Sequence, residues 1–311
     1  MGYAVVLGEA LVDLLDAEWD GEPVYRQAVG GGPLNVAVAV ARLGGEVQFV
    51  GSLGDDALAA RIRDFLSRSG VGLAGAVTAP APTALAVATY TGPEPDFRFY
   101  GEPPSYALLT VDDLNADLVA GAGVAYCGSI VLLHPATLAA ARHAWSLATG
   151  LRVFDPNVRP RLLAGPAALD GLRAVVAEFA AGAHLVKLSS ADAALLYPGE
   201  PVEGVAAYLR ELGAGTVVVT LGAAGAVVAP AGGDPVRVPA PKVDAVDATG
   251  AGDAVMGALV ADLLADGEPV EPAGWHERVA FALRVAGLVC ESRGGATAMP
   301  SRAEVVNRFA G

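Results

Sequence analysis

Short runs of Val, Leu and Ala alternate along this chain with longer stretches in which apolar residues return every three or four positions. The runs Val5–Gly8, Gln48–Gly51, Val124–Gly128, Arg152–Asp155, His184–Leu188 and Thr216–Leu221 predict buried strands, and Ala226–Ala229 predicts a return strand. Helical spacing separates them at Pro33–Leu43, Asp56–Ser69, Pro135–Ala148, Pro166–Ala180 and Glu203–Leu212. Pro33, Pro135 and Pro166 suit first helical turns, where a missing N–H costs no intrahelical bond. This rhythm predicts an α/β fold: a central, mainly parallel sheet with helices on both faces, residues 1–311 forming a single domain.

Two stretches break the rhythm. Asp16–Ala28 is polar and holds Gly21, Pro23 and Tyr25. Ala84–Tyr100 alternates like exposed strands around a turn at Gly92–Asp96.

Composition narrows the function. Hydrophobic residues make up 53% of the 311 and charged residues only 17%, enough apolar material for a large core. The net charge of −14 and the lack of a basic run argue against nucleic acid and anionic membranes as partners. The chain opens directly on a strand pattern, and no apolar run is long enough to span a bilayer, which predicts a cytoplasmic protein. Cys127 and Cys290 sit in apolar runs and are expected as free thiols. His134, His143, His184 and His276 lack metal-ligand spacing.

The chemistry concentrates near Ala245-Val246-Asp247-Ala248-Thr249-Gly250-Ala251-Gly252-Asp253, which leads into an apolar helix. Small residues let backbone N–H groups crowd an anion, and the helix start adds unpaired donors and a positive dipole end. A carboxylate beside such a pocket suits phosphoryl transfer, with Asp253 taking the proton of the attacking hydroxyl. The simpler reading makes Asp253 a helix cap on a glycine turn.

That segment resembles the D-T-x-G-A-G-D signature of ribokinase-like (PfkB) carbohydrate kinases, with Ala248 in place of the first Thr. Gly30-Gly31-Gly32-Pro33-Leu34-Asn35 resembles the family's N-terminal Gly-Gly signature. The resemblance runs over nearly the whole chain. It implies a catalytic base at Asp253, an anion hole at Gly250, Ala251 and Gly252, and sugar contacts from Asp13, Gly31, Gly32 and Asn35. It also implies a small β-sheet lid over the sugar, built from about 16–28 and 84–101, with Phe99 against the substrate. The lid face carrying Phe97 and Phe99, with Tyr25, would be apolar enough to pair two subunits.

Asp155-Pro156-Asn157-Val158-Arg159 resembles the D-P-N-x-R turn of fructokinase-like members, which implies that Asn157 and Arg159 meet substrate or phosphate. Lys187, Asp192, Thr220, Gly222 and Gly225 fall on the nucleotide side by the same resemblance. Asp192 would position magnesium through water, or else sit in the first turn of a helix capped by Ser189 or Ser190; Asp247 would be a carboxylate ligand for a monovalent cation such as K⁺. The stretch Phe281–Arg293 with Gly294-Gly295-Ala296 resembles the adenine-side helix and turn. The implied activity is an ATP- and Mg²⁺-dependent sugar kinase, with fructose favoured. Kinases of 2-keto-3-deoxygluconate or ribose are the enzyme alternatives, and a catalytically silent sugar- or nucleotide-binding regulator is the non-enzyme one.

Overall fold

In the computed structural model, residues 2–90 and 95–310 are described. The strands, in chain order, are β1 (Ala4–Leu7), β2 (Leu11–Trp19), β3 (Glu22–Gly30), β4 (Val47–Leu53), β5 (Gly72–Thr78), β6 (Leu85–Tyr90), β7 (Pro95–Tyr100), β8 (Val124–Gly128), β9 (Leu151–Asp155), β10 (Leu185–Ser189), β11 (Thr216–Thr220), β12 (Ala226–Ala229) and β13 (Val236–Val238). The helices are α1 (Gly32–Arg42), α2 (Ala57–Arg68), α3 (Ala116–Ala120), α4 (Pro135–Leu147), α5 (Pro166–Ala180), α6 (Ser190–Leu196), α7 (Val202–Glu211), α8 (Ala251–Asp266), α9 (Gly274–Cys290) and α10 (Arg302–Arg308).

The larger sheet runs β13-β12-β11-β10-β9-β8-β1-β4-β5. It is parallel from β11 through β5, and antiparallel at β11/β12 and β12/β13. Both faces are covered. In β1, Ala4 and Val6 pack with α1, α8 and α9, while Val5 and Leu7 pack with α4, α5 and α7. Period-two alternation thus feeds two cores, and fully buried strands read as continuous apolar runs. The order reverses at β1: the chain proceeds to β4 and β5 on one side, then returns through β8 to β11 on the other. In such sheets ligands bind beyond the carboxyl ends of the strands at that switch point.

The second sheet, β3-β2-β6-β7, is the lid. It begins earlier than the expected segment at 16–28, because β2 starts at Leu11 and β3 runs to Gly30. Asp13 is therefore a strand residue, paired with Ala28 and Ala86, rather than part of a loop after β1. Pro95 and Asp96 lie in β7, opposite Tyr90 and Thr89; the rest of the turn expected at Gly92–Asp96 lies outside the described residues. Phe97 and Phe99 pair with Ala88 and Ala86 on the lid face that turns inward, and are half-buried. Tyr25 belongs to the opposite face, so the three aromatics do not form one patch.

Other boundaries moved modestly. α9 begins at Gly274, about two turns before the expected Phe281, because Trp275 and Val279 are already buried. β5 and β13 lie at the sheet edges, and their short sequences carry little apolar signal. Cys127 and Cys290 are both unpaired; Cys127 is buried and Cys290 half-buried. Among the described residues no helix is long and apolar enough to cross a membrane.

Candidate active site

A cavity of about 1030 Å³ lies between the lid and the carboxyl edge of the large sheet. Its floor carries Glu9, Gly31, Gly32, Asn35, Asn157, Arg159 and Asp253; its roof carries Asp13, Leu15, Arg26, Ala86, Phe97 and Phe99. Its far wall is the segment Ala245–Gly250 with Arg293.

Asp253 sits in the first turn of α8, 6% exposed. The preceding Gly250 has φ +79°, a left-handed conformation that a side chain would strain, and a Cβ there would meet Gly295 Cα at 2.8 Å. Asn35 Nδ2 donates to Asp253 Oδ2 at 2.8 Å, and Asn157 Nδ2 donates to Oδ1 at 3.2 Å. Both carboxylate oxygens are thus aimed from two sides. Burial pushes the Asp253 carboxyl above its ordinary range, opposed by the amide of Asn35, the charges of Lys187 and Arg159, and the amide of Asn157. The result is a buried carboxylate of raised basicity, fixed in orientation.

The two amides are themselves fixed. Arg159 Nη1 donates to Asn157 Oδ1 at 2.5 Å and to Asn157 O at 3.2 Å, leaving the Nδ2 end for Asp253. Asn157 holds φ +37°, a left-handed conformation Asn tolerates better than most residues. Its amide N donates to Asp155 Oδ1 at 3.1 Å, so the turn after β9 closes on its own carboxylate. Asn35 enters from the first turn of α1, placed there by Gly31 and Gly32.

Behind the glycine turn lies a buried ion pair. Lys187 Nζ is 3.0 Å from Asp155 Oδ2, with side chains 3% and 0% exposed. A Cβ at Gly252 would come within 2.9 Å of Lys187 Nζ, so the ammonium lies directly against the glycine turn. Burial pushes Asp155 up to about 6 despite Lys187. The amides of Gly252 and Asp253 belong to the first turn of α8, where helical N–H groups lack an intrahelical acceptor. Ala251 differs from its neighbours here: its N–H already donates to Ala248 O at 3.1 Å.

Asp13 is half-buried in the roof, and burial pushes its carboxyl up to about 7. Asp247 accepts Thr249 N at 2.9 Å and Gly294 N at 3.1 Å, which hold it below the usual carboxylate range against its partial burial.

Other expected residues lie outside this cavity. Asp192 Oδ1 accepts Val158 N at 2.9 Å, and Oδ2 accepts Ser189 N and Oγ at 2.9 and 2.7 Å. It closes a capping box on α6 and ties that helix to the turn after β9. Thr220, Gly222 and Gly225 continue the same sheet edge beyond β11. Gly225 fits against the β13 exit, where a Cβ would lie 2.0 Å from Val238 O.

Sequence reasoning assigned no role to Glu9, Ser129, Arg26 or Arg293. Arg26 reaches from the lid toward Asp247, whose carboxyl feels its charge, and Arg293 shares that wall. A polar residue one or two positions after a buried parallel strand was the available signal for Ser129 and Glu9.

A buried, oriented carboxylate at a helix start, beside a glycine turn backed by an ammonium, is an arrangement that suits phosphoryl transfer. The pfkB family carbohydrate kinase model matches residues 1–302, and the chain belongs to that family. A fructokinase of Klebsiella pneumoniae is 34% identical over 304 residues, covering 96% of each chain. The fructokinase of Xylella fastidiosa with bound ATP superposes with a TM-score of 0.90 at 28% identity, covering 99% of each chain. The fructokinase of Vibrio cholerae O395 in its fructose, ADP and calcium ion bound form gives 0.88 at 27% identity, covering 99% of this chain and 98% of that one.

Proposed function

We propose that this protein is an ATP-dependent sugar kinase whose acceptor is fructose. The observation that carries the reading is the Asp253 carboxylate, buried and held by two amides between a sugar-sized cavity and a helix-start anion turn. Support for fructose comes from the 34% identity to a fructokinase and the likeness to a fructose-bound one.

In the reaction the sugar hydroxyl attacks the γ-phosphorus, the bond to the bridging oxygen breaks toward ADP, and the hydroxyl proton passes to Asp253. Asn35 and Asn157 keep the carboxylate aimed. The amides at Gly250 and Gly252, with Lys187 behind them, stabilise charge on the moving phosphoryl group; Ala251 contributes the turn that exposes them. Asp13, Gly31, Gly32, Asn35 and Asn157 surround the sugar, Phe99 covers it, and Arg159 faces the phosphate. Thr220, Gly222 and Gly225 form the nucleotide edge.

Among the described residues no three carboxylate, His or Cys side chains converge as a metal cage. That suits magnesium, which keeps several waters and is held largely by substrate phosphates. Asp192 would reach it only through water, since both its oxygens already accept protein hydrogen bonds. When bound, magnesium supplies charge neutralisation on the phosphates. Asp247 is the proposed carboxylate beside a K⁺ ion. We further place the protein in the cytoplasm and pair two copies through the lid, where Trp19 is 76% exposed.

ADP release with fructose, ribose, glucose and 2-keto-3-deoxygluconate tests the reading. Fructose is expected to give the highest kcat/KM. A keto-acid preferred by about tenfold, or roughly 1.4 kcal/mol of transition-state stabilisation, would replace the acceptor; no sugar-dependent release would remove the kinase. A monomer mass independent of concentration in light scattering would remove the dimer.

A further inference from the structure

Glu9 lies at the centre of the site, and the chemistry above gives it no task. It follows β1, and Ser129 follows β8. These strands pair in parallel with Leu7 beside Cys127, so the register carries Glu9 and Ser129 to adjacent positions just beyond the sheet edge. Ser129 Oγ donates to Glu9 Oε1 at 2.7 Å, and the Gly32 amide donates to the same oxygen at 3.1 Å. Glu9 is 2% and Ser129 3% exposed. One carboxyl oxygen thus joins three separate pieces of chain: the end of β1, the end of β8 and the start of α1.

Two of these pieces are tightly constrained. Ser129 has φ +70°, a left-handed setting costly for a residue with a side chain. Gly32 is packed so closely that a Cβ would lie 2.6 Å from Asn157 Nδ2, 3.4 Å from Asp253 Oδ1 and 3.5 Å from Ser129 Oγ. The position of Gly32 therefore sets both how Asn157 approaches Asp253 and where α1 places Asn35. Glu9 Oε2 is buried without a protein partner, and the two contacts the carboxyl makes to Ser129 and Gly32 both run through Oε1.

We infer that Glu9 is a positioning residue for the phosphoryl-transfer reaction, holding Gly32 and Ser129 together so that Asn35 and Asn157 aim Asp253. This rests on the reading of Asp253 as the base. The action is geometric, since an amide oxygen can accept the same two hydrogen bonds. Burial pushes the Glu9 carboxyl up to about 7 and the charge of Asp253 adds to that; the Ser129 hydroxyl, the backbone amide of Glu9 and the charge of Arg159 oppose it. Tyr106, and Tyr126 and Cys127 of β8, are held protonated chiefly by burial, to which an ionised Glu9 adds.

The test compares Glu9→Gln, Glu9→Ala and Ser129→Ala in the full-length protein, well below each variant's Tm. Glu9→Gln is expected to keep kcat within about threefold of wild type. Glu9→Ala should lose about ten- to a hundredfold in kcat with the KM for ATP within twofold, and Ser129→Ala a smaller part of that loss. A role in stability alone would lower Tm and leave kcat unchanged, which overturns the proposal. So does a Gln variant as impaired as the Ala variant, because charge rather than geometry would then matter. Hydrogen–deuterium exchange over residues 30–36 supplies an activity-independent reading. Exchange should quicken in Ser129→Ala, and in Glu9→Ala if that variant folds, but stay at the wild-type rate in Glu9→Gln; unchanged exchange in Ser129→Ala overturns the brace. If Asp253→Asn instead keeps full activity, the base assignment fails, while the exchange data still decide whether Glu9 pins Gly32.

Discussion

The carboxyl edge of the large sheet carries two unlike halves. At the β1–β8–β9 end, polar side chains from five segments converge, and both Asp253 oxygens are aimed by buried amides. At the β10–β11 end, Asp192 is taken up by its own helix cap, the Thr220 hydroxyl reaches only Leu188 O at 3.5 Å, and Gly222, Ala223 and Ala224 are exposed. The first half is preorganised by buried side-chain hydrogen bonds, which suits the sugar end in the proposed reaction. The second is an open edge, suited to a ligand that carries its own charge and is held largely by backbone. Electrostatic preorganisation is needed where charge develops, and the protein places its rigid, buried network at that end.

The comparison breaks most directly at Asp253. Asp253→Asn keeps the side-chain volume at a helix start whose cap makes no side-chain hydrogen bond, but it cannot accept the proton, so kcat should fall by about 10²–10⁴ with nucleotide affinity nearly intact. Steady-state kinetics with isothermal titration of nucleotide reads both. A kcat above roughly a tenth of wild type would make this half a binding pocket only.

Gly32→Ala probes the same half through packing. Its methyl would fall 2.6 Å from Asn157 Nδ2, so Asn157 must leave Asp253 or α1 must shift. We expect a loss in kcat of about ten- to a hundredfold, with about 1–3 kcal/mol of destabilisation from overpacking. Denaturant melts beside kinetics separate the two effects. Unchanged kcat would show that the Asn157 contact is dispensable.

How much of this was legible depended on range. The β8 strand and α5 could be read to the residue, because a fully buried parallel strand and an amphipathic helix imprint their own periods. The Asp253 turn was legible because its glycines and carboxylate are contiguous. The lid was only half legible. In β2, apolar Leu11 and Leu15 share their face with Asp13, which lines a cavity rather than solvent, so the polar and apolar alternation blurs. The Glu9–Ser129–Gly32 contact was not legible, since it joins residues 120 and 23 positions apart through strand register. Asp192 shows the converse: a family position whose local sequence, Ser189 to Asp192, already specified a capping box.

That position sharpens the other half of the comparison. Asp192→Asn cannot accept all three hydrogen bonds, so Tm should drop by the equivalent of about 1 kcal/mol, the usual worth of a cap. If Asp192 also steers magnesium through water, the half-saturating Mg²⁺ concentration should rise severalfold in a kinetic titration. A lower Tm with an unchanged Mg²⁺ titration would leave Asp192 as a cap alone.

A prediction that needs no variant concerns pH, and it follows from burying so many carboxyls at one end. Glu9 and Asp13 sit at about 7 and Asp155 at about 6 in the fold, with Asp253 also raised, all chiefly through burial. In the unfolded chain such groups ionise near pH 4. Above that pH the unfolded state has released protons the folded state still holds, so stability falls as pH rises and levels off once the folded groups also ionise. Asp56 and Asp247 are lowered, so their contribution is present above the unfolded value and disappears only as the pH falls through their folded values. Ligand-free Tm should therefore peak near pH 5, fall by several degrees toward pH 7 and flatten above it. Glu9→Gln removes one of the raised carboxyls and should shallow that decline without moving its end point. A Tm that instead rises steadily from pH 5 to 7 would mean that the buried corner does not hold its protons, and that the two halves of the sheet edge do not differ in electrostatics as their burial implies.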